Sequence, residues 1–137
     1  MAGMLLLTMS MVFLSCEKEE KDEFYERDIT ASELEAGYGT FSKVEGSKTH
    51  YLKFKDGILT ISVFQGNKCE SAVTWNYSVN GDELYLYNAN TIMGTKTYSL
   101  KIEWIHWGKG RGEQLMVVAR DGGSVPSGLA EGYYDKY

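Results

Sequence analysis

The chain is short of proline, cysteine, histidine and positive charge. A single proline in 137 residues leaves no proline-rich linker or polyproline ligand. Two cysteines, Cys16 and Cys69, cannot build a disulfide framework. The two histidines, His50 and His106, stand far apart, and a zinc site needs three or four nitrogen or sulfur ligands. Fourteen Lys and Arg against nineteen Asp and Glu give a net charge of −5. That is the wrong sign for a nucleic-acid partner, whose phosphates call for a basic face. No nucleophile elbow and no phosphate-loop spacing occurs. Long apolar runs are missing too: Leu5 to Ser15 would rise only about 16 Å as a helix, against roughly 30 Å of bilayer hydrocarbon.

What remains is aromatic and glycine-rich. Hydrophobic residues make up 43% and aromatics 13%, with ten Tyr, three Trp and fifteen Gly. That composition builds one compact core and fits aromatic strands separated by turns. Charge divides the chain into three parts. Residues 1–15 carry no charged side chain, whereas residues 17–28 hold seven acids and three bases. The rest is nearly neutral. The expected organisation is a signal peptide over 1–15, an acidic tether over 16–28 and a β domain over 29–137.

The leader suits the central region of a secretory signal peptide. Its end, Phe13-Leu14-Ser15-Cys16, resembles the lipobox that precedes the lipid-modified cysteine of bacterial lipoproteins. That resemblance implies cleavage before Cys16, acylation of its sulfur, and anchoring at the bacterial outer membrane or cell surface. An ordinary signal peptide with an incidental cysteine is the alternative. The acidic run Glu17 to Glu23 looks like the export signal of some surface-displayed lipoproteins, and also serves as a solvated spacer. With Cys16 acylated, Cys69 has no disulfide partner and is expected to be a small buried hydrophobe.

In the body, Thr30-Ala31-Ser32-Glu33 has capping-box spacing, so a short helix is expected before Gly37. Alternation then takes over. A turn at Asp56-Gly57 pairs Phe54 with Leu59 and Leu52 with Ile61. It gathers Leu52, Phe54, Leu59, Ile61 and Val63 on one face, with Lys53, Lys55, Thr60 and Ser62 on the other. A turn at Asn80-Gly81 pairs Tyr77 with Leu84 and Trp75 with Leu86, placing Val73, Trp75, Tyr77, Leu84 and Leu86 inward. From Thr97 to Trp104, Tyr98, Leu100, Ile102 and Trp104 point inward. Further strands are expected at Tyr38–Val44 and Gln114–Arg120, seven in all. Such an antiparallel meander hides its edges best by closing into a small up-and-down barrel, with a two-layer sandwich as the alternative. The tail from Gly122 reads either as a loose end or as a flap over one barrel mouth.

The succession from Tyr51 to Ile61, Trp75 to Leu86, Tyr98-Ser99-Leu100 and Glu113 to Val117 resembles a bacterial lipocalin-like domain, often found behind a lipoprotein signal. The resemblance implies a small all-β barrel with room for an apolar ligand. It carries over no catalytic residue and no cofactor, so binding rather than catalysis is expected.

The candidate ligand-binding residues are Phe54, Trp75, Tyr77, Leu84, Leu86, Tyr98 and Trp104. Lining a cavity, they would hold a small apolar ligand; packed together, they would simply fill the barrel. An alternative is a surface module for protein or glycan contact, built from the outward Tyr85 and Tyr87 with Trp107. The loop His106 to Glu113, with glycines at 108, 110 and 112, reads as a flexible hairpin loop or as a site for an anion.

Overall fold

The computed structural model describes residues 22–88 and 94–137. The leader and Cys16 lie outside the described residues. Nine strands and one short helix follow in order: β1 (Tyr25–Arg27), α1 (Ala31–Glu35), β2 (Thr40–Glu45), β3 (Lys48–Lys55), β4 (Ile58–Gln65), β5 (Lys68–Asn80), β6 (Glu83–Asn88), β7 (Lys96–His106), β8 (Glu113–Ala119) and β9 (Gly132–Lys136). Each strand from β2 to β9 pairs antiparallel with its sequence neighbour, and β9 returns to β2. The result is the expected all-β architecture, a closed eight-stranded up-and-down barrel of lipocalin-like form. Closure leaves no open edge around that ring. β1 pairs with β7 through Tyr25↔His106 and Arg27↔Trp104, so strand pairing starts inside the segment read as tether.

Glycines set the registers. The β3–β4 turn has Asp56 at φ 51° and Gly57 at φ 78°. Two positive φ values are the type I′ signature, and Phe54↔Leu59 and Leu52↔Ile61 pair as the sequence implied. The β5–β6 turn differs. Its loop is Gly81-Asp82, with Asn80↔Glu83 and Tyr77↔Leu86 as partners. The pairing of Tyr77 with Leu84 is therefore corrected by two residues. Gly81 alone takes positive φ, which suits a two-residue turn with glycine first. Because side chains alternate with period two, this slip keeps every residue on its expected face.

Leu52, Phe54, Leu59, Ile61, Leu84, Leu86, Leu100 and Ile102 meet inside the barrel, and Phe41, Leu115, Val117 and Tyr134 complete the core. Val73 keeps the expected inner face, opposite the buried Ile61, but is 37% exposed there. It lies on the first half of β5, beyond the stretch Asn76–Asn80 that pairs with β6. Glu103, which the same alternation turns outward between Ile102 and Trp104, is nevertheless buried and ion-paired to Lys101 at 3.1 Å.

Both barrel ends are covered. At one, Thr30 caps α1: its side chain accepts from the Glu33 N–H, and the Thr30 N–H donates back to the Glu33 carboxylate, completing the capping box. Leu34 from α1 and Ile29 before it enter the core. The Glu35 carboxylate then accepts from the Asp56 and Gly57 amides at 2.9 and 3.0 Å and from the Tyr77 hydroxyl, which ties the helix to the β3–β4 turn. At the other end, the tail crosses the mouth. Leu129 packs into the core, and His50 Nδ1 donates to Gly128 O at 2.8 Å. The chain then forms β9, so the tail is both flap and closing strand.

Candidate functional site

The seven candidate ligand-lining residues all turn toward the barrel interior, but they fall into two groups. Phe54, Tyr77, Leu84 and Leu86 are buried, the two leucines completely. Phe54 meets Tyr77 edge-on at 5.1 Å and Phe41 at 5.9 Å. Trp75, Tyr98 and Trp104 are partly buried against this core. Trp75 and Tyr98 meet edge-on at 5.2 Å, while Trp104 donates through Nε1 to the Glu113 carboxylate. Burial, together with the Glu35 carboxylate, pushes the Tyr77 hydroxyl far above its ordinary range. Tyr77 is thus a fixed neutral donor. Two of the seven border surface hollows: Trp104 one of about 220 Å³ beside Arg27 and Glu33, and Phe54 one of about 360 Å³ beside Glu35 and Tyr38.

A groove of about 430 Å³ lies instead on the outer face of β2, β3 and β4. Strand alternation builds it. Tyr51 pairs with Ser62, Lys53 with Thr60, and Thr40 with Lys53, so these outward side chains form two adjacent rows. Phe64 stands edge-on to Tyr51 at 5.5 Å, and Tyr137 lies 6.4 Å from Tyr51. The Tyr137 amide donates to Thr40 O at 2.8 Å, which places that ring over the sheet. Gly66 and Asn67 of the β4–β5 turn close one end. The lining is therefore three aromatic rings, three hydroxyl side chains, one amide and Lys53, with no carboxylate side chain. The outward placement of Lys53, Thr60 and Ser62 was legible in the first hairpin. Tyr51 followed from the same alternation. Phe64, Asn67 and Tyr137 were missed, because only lateral pairing brings them alongside.

A second cluster joins the N-terminal segment to the β7–β8 loop. The Asp22 carboxylate accepts from His106 Nε2 at 3.0 Å and from the Gly110 amide at 3.2 Å, while Lys109 N–H donates to Asp22 O at 2.8 Å. The Tyr25 ring stacks on His106 at 4.7 Å. The hydrogen bond from His106 leads the effects that hold the Asp22 carboxyl below its ordinary value. The glycine loop thus does bind an anion, and that anion belongs to this chain. Trp107 packs with Phe24 at 5.6 Å and Tyr133 at 5.1 Å. The outward Tyr85–Tyr87 pair stacks separately at 5.7 Å on β6. Cys69 is exposed rather than buried, and its thiol donates to Ser71 O at 3.4 Å. It lies at the bulged start of β5, where the pairing shifts at Val63/Phe64. Among the described residues, no group of three or more His, Cys, Asp and Glu is placed to hold a metal ion.

Comparison with family models, with curated proteins and with solved structures finds no match for this chain.

Proposed function

We propose that this protein is a lipid-anchored, non-catalytic binding module of the bacterial envelope, and that it takes a glycan in the outer groove of β2–β4. The observation that carries this reading is the contrast between the two faces of one sheet. Inward side chains pack on one another, whereas outward ones leave a groove of about 430 Å³. That volume lies in the range of small-ligand sites, roughly 300–1,000 Å³. A stable protein partner would instead cover about 800 Å² on each side. Rings beside hydroxyl and amide groups suit a sugar, which offers C–H faces to the rings and hydroxyls to the polar groups. An apolar ligand inside the barrel would have to displace Leu84, Leu86 or Phe54 from a filled core. The anchor reading rests on Phe13-Leu14-Ser15-Cys16 and the acidic stretch after it.

A glycan array probed with the full chain tests the binding reading. Wild-type protein is expected to give a defined set of signals that Tyr51→Ala abolishes and Tyr85→Ala leaves intact. Signals indifferent to Tyr51→Ala would overturn it. Mass spectrometry of the mature N-terminus tests the anchor separately, with acylated Cys16 as the expected first residue.

A further inference from the structure

Among the described residues, Lys53 is the only charged side chain lining the groove. Among the described residues its ammonium forms no ion pair and no hydrogen bond, and it is exposed. Some cations elsewhere are matched, Lys48 with Glu70, Lys101 with Glu103, Arg27 with Glu33 and Arg120 with Asp82, whereas Lys55, Lys68 and Lys96 are as unpaired as Lys53 among the described residues. What sets Lys53 apart is its place, since it lines the groove among the hydroxyls of Thr40, Thr60 and Ser62. Two acids, Glu35 and Asp56, border a neighbouring hollow that shares Lys53. Glu35 is already engaged by the Asp56 and Gly57 amides and the Tyr77 hydroxyl. Position matters as well. Lys53 sits between Thr40 and Thr60 across the strands, one row from Tyr51 and Ser62. A ligand whose ring lies against Tyr51, Phe64 and Tyr137 therefore presents its edge substituents to an ammonium flanked by two hydroxyls.

From this we infer that the groove selects a carboxylate-bearing saccharide, such as a uronic-acid-containing glycan, with Lys53 pairing the carboxylate and Tyr51, Phe64 and Tyr137 holding the ring. The inference rests on the groove reading above and narrows its ligand. Strand pairing explains the device: the residue that alternation turns outward between the β-branched hydroxyl residues Thr40 and Thr60 is a lysine, whose long apolar stem can keep its charge in water. A charge-assisted hydrogen bond is stronger than a neutral one, so the acid group and not the ring sets selectivity.

Calorimetric titration of the full chain with an oligogalacturonate and with its carboxyl-reduced, neutral counterpart tests the inference. The acidic oligomer is expected to bind about tenfold tighter, the increment of one charged hydrogen bond. Lys53→Gln should bring the two within about twofold by weakening only the acidic one. Lys48→Gln, outside the groove, should change neither. Tyr51→Ala with Phe64→Ala should weaken both sugars at least tenfold, with an unchanged melting temperature verifying the fold. Equal wild-type affinities that remain sensitive to Tyr51→Ala would overturn the acidic selectivity and leave the groove reading standing. Absence of binding by either oligomer would overturn the saccharide inference itself, and the array would then decide the groove reading.

Discussion

Tyr134 shows how much one side chain does in this barrel. It lies on β9, is completely buried, and its hydroxyl both donates to Ala130 O at 2.6 Å and accepts from the Ala130 amide at 3.1 Å. One side chain therefore joins the closing strand to the flap. Tyr134→Phe keeps the ring and leaves two backbone groups unpaired in an apolar setting, so a loss of about 1–3 kcal/mol is expected in urea unfolding, with the slope unchanged. Gly39 is a stricter case. Its φ is +62°, and a Cβ there would sit 2.3 Å from Phe54 O, a backbone atom that cannot swing away. Gly39→Ala is expected to destabilise by about 2–3 kcal/mol or more on the same measurement. Cys69 was read as a buried small hydrophobe; its exposure leads to a different expectation. A thiol reagent should label it at native pH without unfolding. The misreading has a physical origin: composition gives cysteine an inward bias, while the bulge at the start of β5 puts this one at a strand end facing water.

The N-terminal segment, from β1 through α1, is held by carboxylates, and this gives it a pH dependence of definite sign. Arg27 lies against Glu33 at 2.8 Å. That guanidinium, followed by the Thr30 amide, holds the Glu33 carboxyl down to about 2 from an ordinary 4.5. Asp22 is likewise lowered, first by His106. A group whose folded pKa is depressed contributes stability above its unfolded value and loses it as pH falls through the folded one. Acidification from about pH 4.5 to about pH 2 should therefore release this segment. Hydrogen exchange at Glu26 and Arg27 checks it: protection should fall over that window, and Glu33→Gln should flatten the dependence. Both carboxylates are solvent-accessible, so the effect on global stability stays small. Thr30→Ala should cost about 1 kcal/mol by removing the cap. The capping box and the Asp56-Gly57 hairpin were legible because their signals are local, a side chain three residues from its partner and a pair of residues able to take positive φ. β9 was not. Its five residues, Gly132–Lys136, follow a stretch rich in Gly and Ser, and only β2 and β8, far away in sequence, make it a strand.

Barrel closure decides where a ligand has room. The sequence sorted inward from outward residues correctly along β3, β4 and most of β7, since alternation is a local property. It could not say whether the inward set leaves space, because that depends on how eight strands converge and on what covers the two ends. Here Leu34 and Ile29 enter from one end and Leu129 from the other. The outer groove was partly hidden: Tyr51 on β3 and Phe64 on β4 meet within one hairpin, but Tyr137 after β9 joins them only once the ring has closed. A filled interior makes a prediction that separates the two readings. Leu86 is completely buried, so Leu86→Ala should cost about 3 kcal/mol and leave a dry apolar cavity. Benzene, small enough to enter such a space, should then raise the melting temperature of the variant and leave the wild type unchanged, since a ligand stabilises only the folded state that binds it. A comparable rise in the wild-type protein would mean that the barrel already has room, and an apolar ligand among Trp75, Tyr77, Tyr98 and Trp104 would become the better account of what this fold holds.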